Sequence, residues 1–190
     1  MDRLQEIVQK TSLAGVSLLR FVAPREMITP AFAWEVNSLP SGLGRVDVEI
    51  PRVVDGYSSL ANSAWFAMAK DLYVIDERRE FLLAIEDDMG DLYWGQMCLA
   101  KEWDFIEVGP TLGVTGSRKG FPSFAAMSLD GDSAIIGHSD DALISFTGAA
   151  RLKEIPVLRE SATRLAFHSP HLGKDAAFSA RTWLGLDPSG

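Results

Sequence analysis

The chain is poor in the residue types that staple small folds or carry most side-chain chemistry. Its 190 residues include one cysteine and three histidines, and basic side chains number 18 against 26 acidic ones. A lone Cys98 closes no disulfide within the chain, which excludes a small secreted module held by disulfides. Cys98 sits among Trp94, Met97 and Leu99, with Lys101 the one base nearby. That company predicts a buried, inert thiol rather than a nucleophile. A net charge of −8 repels polyanions at long range, so nucleic acid is not the expected partner. No segment approaches the roughly 20 apolar residues of a membrane span. The start carries Asp2 and Glu6, and the best apolar run, 13–22, is broken by Ser17 and Arg20, so no secretory leader is read. These absences predict a soluble, cytoplasmic protein with no membrane partner.

Assembled motifs are missing too. His168 and His171, with Asp175 beyond, have a superficial ligand spacing, but Pro170 interrupts any shared helix and no Cys or Glu completes a tetrahedral set. No metal and no cofactor is expected. His138-Ser139-Asp140 holds the residue types of a catalytic triad, but triads assemble from distant segments, and Gly137-His138-Ser139 lacks the closing glycine of a nucleophile elbow. Asp130 and Asp132 flank Gly131 and read as turn residues. The stretch 113–120, GVTGSRKG, is glycine-rich and basic, but Lys119 precedes Gly120 rather than Ser or Thr, so it is no Walker loop. Arg118 and Lys119 are its candidate anion-binding residues, within a long loop over 109–122.

What is present is a well-patterned globular chain, 47% hydrophobic and 23% charged, without a linker or low-complexity tract. One domain over 1–190 is expected. Helical spacing of Leu4, Ile7, Val8, Thr11 and Gly15 to Val22 predicts an N-terminal helix ending before Pro24, with a strand from Gly15 to Val22 as the alternative. Short strands are predicted over 31–37, 72–75 and 103–108, and a half-exposed strand over 45–54 with Val46, Val48 and Ile50 on one face. Residues 58–70 fall at helical spacing, with Ser58 or Ser59 as the cap. Hairpins are predicted over 80–100 and 124–136, the second turning on Asp130-Gly131 as a two-residue turn. Ser139 is read as the cap of a helix with Asp140 and Asp141 in its first turn. Helices over 157–168 and 174–184 close the chain. The sum is an α+β fold, an antiparallel sheet of hairpins covered on one face by helices from the N- and C-terminal parts.

The segment 80–100, EFLLAIEDDMGDLYWGQMCLA, joins the strongest hydrophobic patterning to four acids at its turn. Glu86, Asp87, Asp88 and Asp91 lack the spacing of a calcium loop and are read as an acidic prong for a basic partner. Tyr93 and Trp94 are adjacent on a strand and face opposite ways, so one is covered or one is exposed. With Trp103 they are the candidate aromatic anchors.

The run LDGDSAIIGHSDDALISF, 129–146, is similar in outline to the end of SMI1/KNR4-type immunity domains: a strand, a turn with glycine, a strand, then a Ser-started helix carrying Phe146. The similarity covers under a tenth of the chain. It carries over no functional residue. The acidic charge, the aromatic-rich hairpin and the lack of an assembled catalytic motif point to a non-enzymatic domain that binds another protein with a basic surface, as an inhibitor, immunity-type or chaperone-like protein. Two alternatives are a small hydrolase or transferase with a dispersed Asp, Glu and His site, and a ligand-binding domain using the loop 109–120.

Overall fold

The computed structural model describes residues 3–86, 90–168 and 173–187. In chain order the elements are α1 (Arg3–Leu13), β1 (Val16–Phe21), α2 (Pro30–Ala33), β2 (Arg45–Pro51), α3 (Tyr57–Asp71), β3 (Glu80–Glu86), β4 (Leu92–Leu99), α4 (Val108–Thr111), β5 (Gly116–Arg118), β6 (Phe121–Pro122), β7 (Phe124–Met127), β8 (Ser133–Ser139), β9 (Leu143–Ala150), α5 (Pro156–His168) and α6 (Gly173–Trp183). Seven strands form one antiparallel sheet in the order β1-β4-β3-β7-β8-β9-β2, and β5 with β6 makes a small separate hairpin. The α+β class and both predicted hairpins stand. No helix among the described residues is long and apolar enough to cross a membrane.

The sheet is covered on both faces, where the sequence predicted one. Leu82 and Ala84 of β3, Ala125 and Met127 of β7, and Ala134 and Ile136 of β8 meet Phe32 of α2, Leu158 and Ala162 of α5, and Ala180 and Trp183 of α6. The alternate residues Phe81, Leu83, Phe124, Ala126 and Ile135 meet Ala61, Trp65, Met68 and Ala69 of α3, together with Phe105 and Ile106. Strands buried on both faces have no polar side to alternate with, so they read as continuous apolar runs: FLLA, FAAM, AIIG. The edge strand β2 does alternate, with Val48 and Ile50 turned to the second core.

Several local expectations are corrected. Gly15 divides the N-terminal segment, so the alternative reading of a helix followed by a strand holds. Residues 31–37 are not a strand: Pro30 begins α2, and a 3-10 turn over Trp34–Ser38 follows. α3 forms as predicted, but its N-cap is Gly56 and no side chain caps it; the Ser58 hydroxyl goes to Glu107 instead. Residues 72–75 form the turn that ends α3, with Tyr73 at φ 58°. Residues 103–108 form a turn leading into α4. The long loop over 109–122 contains α4 and the β5–β6 hairpin.

Asp130-Gly131 is not a two-residue turn. Ser128 and Ser133 close the loop, with the Gly131 N–H donated to the Ser128 carbonyl at 3.0 Å. Gly131 alone takes positive φ there. A Cβ at this glycine would lie 2.8 Å from Met27 Sδ, and its carbonyl accepts the Trp183 indole N–H at 2.7 Å. The helix expected after Ser139 is strand β9. The Asp140 carboxylate accepts the N–H groups of Ala142 and Leu143 at 2.7 and 2.9 Å. An Asx turn and a helix start draw on the same residue types, and here the turn joins β8 to β9. Phe146 therefore lies on a strand, and the similarity in outline to immunity domains loses the helix it rested on.

Candidate functional site

The segment from Gly90 into the start of β4 stands beside α2 and α5. Between them lies a cleft of about 480 Å³ lined by Pro30, Phe32, Glu35, Asp91, Leu92, Tyr93 and Leu165, among others. Pro30 fixes the start of α2 and so places Phe32 and Glu35 one turn apart along one wall. The opposite wall is β4 where it leaves the tip, with Asp91, Leu92 and Tyr93 all exposed. The cleft contains two carboxylates and, among its described lining residues, no Lys or Arg.

A second cleft, of about 410 Å³, opens on the other side of Leu92. It is lined by Trp34, Ala84, Glu86 and Leu92, by Val114 and Ser117 of the glycine-rich stretch, and by Ser123, Phe124 and Ala125. The ends of β3 and β4 at Glu86 and Leu92 and the glycine-rich loop, separate in sequence, are thus brought to one place. Glu86 is exposed there.

The other predicted site residues divide. Asp87 and Asp88 lie outside the described residues. Tyr93 is 38% exposed. Trp94 is 3% exposed, sits in the first core, and donates its indole N–H to the Ile28 carbonyl at 2.6 Å. It is therefore not a surface anchor. Trp103 lies beyond the far end of β4, roughly 25 Å of strand from the tip. It packs edge-on to Trp65, with ring centroids 5.1 Å apart. Cys98 is half-buried on the flank of β4, its thiol 3.6 Å from the Arg78 carbonyl, rather than in the core.

Arg118 and Lys119 project from the β5–β6 hairpin and are already engaged. Arg118 lies over the Phe121 ring and 3.4 Å from Asp141. Lys119 pairs with Glu107 at 3.1 Å. Arg52 lies against the same ring and bonds the carbonyls of Asp140 and Gly120. Glu107 is held below the usual carboxylate range by the Ser58 hydroxyl and by Lys119. This neutralised cluster fixes the small hairpin against the start of α3.

The triad-like run does not converge. Ser139 donates to the Pro122 carbonyl at 3.0 Å, His138 is exposed on the opposite face of the strand, and Asp140 is occupied by its own turn. Among the described residues no three His, Cys, Asp or Glu side chains are grouped closely enough to share a metal ion; His171 lies outside them.

Glu35 and the α5 wall escaped the sequence reading. Glu35 follows Trp34 in a segment read as a strand, which would have pointed it elsewhere. Leu165 stands far along the chain from Tyr93, and a wall assembled across that distance leaves no local pattern. Comparison with family models, curated proteins and solved structures finds no match to this chain.

Proposed function

We propose that this chain is a non-enzymatic protein-binding domain that takes a basic partner at the tip of its first hairpin, and that it works in the cytosol. The observation that carries this reading is the cleft between the start of β4 and α2, lined by the apolar Pro30, Phe32, Leu92 and Leu165 and with Glu35 and Asp91 as its charges. Such a site suits a Lys or Arg side chain flanked by apolar neighbours. The net charge of −8 would speed the approach of a basic partner. Tyr93 supplies an exposed aromatic surface of the kind that anchors interfaces. An unpaired thiol such as Cys98 is at home in a reducing compartment. The engaged state of Arg118 and Lys119 weighs against an anion-binding role for the glycine-rich loop.

The test is quantitative affinity capture from native lysate with tagged wild type, Tyr93→Ala, and the pair Glu35→Gln with Asp91→Asn. The expected outcome is a stoichiometric protein with a basic surface, lost from the wild type as salt rises. Tyr93→Ala should weaken its binding by about 2 kcal/mol, mainly through faster dissociation. The double charge variant should slow association and flatten the salt dependence. A partner held equally by all three proteins, or no stoichiometric partner, would overturn the reading.

A further inference from the structure

We infer that the outer edge of β2, over residues 45–49, takes an extended partner segment as an added strand, with Lys or Arg opposite Glu49 and apolar residues opposite its neighbours. β2 lies four strands from β3, roughly 19 Å across the sheet, so this surface is separate from the cleft at β4 and does not rest on it. The ladder to β9 fixes which way the backbone of β2 points. Arg52 donates its N–H to the Ala142 carbonyl at 2.9 Å, one step past the pair of Pro51 with Leu143. Backbone groups alternate along a strand, so Val46, Val48 and Ile50 bond β9, while Arg45, Asp47 and Glu49 turn their N–H and carbonyl groups outward. β9 agrees: its Leu143 carbonyl is taken from the other side, by the Asp140 N–H at 3.1 Å. The sheet ends at β2, and among the described residues nothing bonds the outward groups of Arg45, Asp47 and Glu49. No residue of β2 is buried.

The opposite edge of the sheet, β1, is guarded. Its first residue, Val16, is fully buried, and a bulge interrupts it between Leu18 and Arg20. Just beyond it, Ala23 gives its N–H to the Glu26 carboxylate at 3.1 Å and its carbonyl to the Glu26 N–H at 2.8 Å. β2 has no bulge, and its one proline comes at the very end: Pro51 offers no N–H, and its carbonyl accepts the Val54 N–H at 3.2 Å. What protects the open stretch before Pro51 is charge. A second copy of β2 pairing edge to edge would set acid against acid, so Asp47 and Glu49 turn this chain away from itself.

The same acids select a basic occupant. Asp47 is already answered, by the Arg45 guanidinium at 2.9 Å and the Thr147 hydroxyl at 2.8 Å. Glu49 is exposed, with no such bond among the described residues, and is the uncompensated charge of the edge. Arg45 also donates to the Asn37 and Leu39 carbonyls at 2.8 and 3.0 Å, which holds the start of the edge in place. On the other face Val48 and Ile50 are half-buried against the second core and Val46 is exposed. Leu43 before the strand and Val53 and Val54 after it are exposed as well. Directly opposite residues of antiparallel strands share a face, so an added strand meets acid and aliphatic positions in turn. Strand addition draws affinity from main-chain bonds and specificity from alternate side chains. A segment alternating cations with apolar residues meets both demands.

The probe is a short peptide alternating Lys with Val, titrated into isotope-labelled full-length protein and followed by amide hydrogen exchange. Exchange should slow by about tenfold or more at Arg45, Asp47 and Glu49, and change little at Val46, Val48 and Ile50, which already bond β9. N-methylation along one edge of the peptide should weaken binding by about tenfold or more. Glu49→Pro should do the same, since it removes an outward N–H and spares the ladder to β9. A peptide with Glu in place of Lys should bind more weakly, and Glu49→Lys should reverse that preference. Melting curves check that the variants fold, and the N-methylated peptide tests the edge on the wild type whatever they show. Equal protection along the strand, indifference to N-methylation, equal binding of the Lys and Glu peptides, or no binding of the Lys peptide would each overturn the inference. Tyr93→Ala should bind the peptide as the wild type does. Binding lost in Tyr93→Ala and kept in Glu49→Pro would overturn the edge site and leave the cleft reading standing.

Discussion

Tyr93 and Trp94 share a strand and a chemistry, yet they serve opposite ends. Trp94 fills the first core and answers the carbonyl of Ile28, a buried acceptor with 0% exposure. Trp94→Ala should cost about 3–5 kcal/mol of stability, as large aromatic truncations in cores do. Trp94→Phe keeps the ring but leaves the Ile28 carbonyl unanswered, at about 1–3 kcal/mol. Tyr93→Ala, at the cleft, should cost about 1 kcal/mol or less in the absence of a partner. Urea unfolding of the three variants checks the order. A Tyr93 variant as unstable as Trp94→Ala would place that ring in the fold rather than at an interface.

At the scale of elements, the passage from α1 into β1 depends on Gly15. It takes φ +78°, and a Cβ there would stand 2.2 Å from the Glu102 carbonyl oxygen and 2.5 Å from Trp103 Cα. Both are backbone atoms, pinned by Ala100 N–H to the Gly15 carbonyl and Asp104 N–H to the Ala14 carbonyl. Gly15→Ala should therefore lose about 3 kcal/mol or more, from left-handed strain added to overpacking. A melting temperature within error of wild type would show that this crossing can shift.

The same glycine shows why elements were unevenly legible. It interrupts a helical pattern, and the sequence alone leaves helix or strand open beyond it. Hairpins were legible because alternation and acidic, glycine-containing turns are local signals. The two covered faces were not: FLLA and AIIG fit a buried strand equally well whichever elements lie above it. The 103–108 segment failed for a physical reason. Asp104 draws in the N–H groups of Ile106 and Glu107 at 2.8 and 2.9 Å and the Asn62 amide at 3.0 Å, bending apolar residues that would otherwise suit a strand. Of the binding cleft, the acidic tip and Tyr93 were legible and the α2 and α5 wall was not.

Asp104 also bears on the molecule as a whole, through pH. Burial alone would raise its pKa, but the N–H groups of Glu107 and Ile106 and the Asn62 amide outweigh that and lower it. Glu26, Glu107, Asp130 and Asp140 are lowered as well, each accepting hydrogen bonds in its charged form. A carboxylate whose pKa is lower folded than unfolded binds fewer protons when folded. Its contribution is complete above the unfolded value, about 4, and is lost as pH falls through the lower folded value. Stability should then hold level from about pH 7 to 5 and decline below about pH 4. Asp104→Asn isolates one part of this. The amide resembles the protonated carboxyl, so it should lower stability at neutral pH and change little in acid. The gap between wild type and variant in urea unfolding should be widest near pH 7 and close as pH falls. A gap that stays constant across the range would mean that Asp104 acts by shape alone, and that its charge contributes nothing to holding the 103–107 turn against α3.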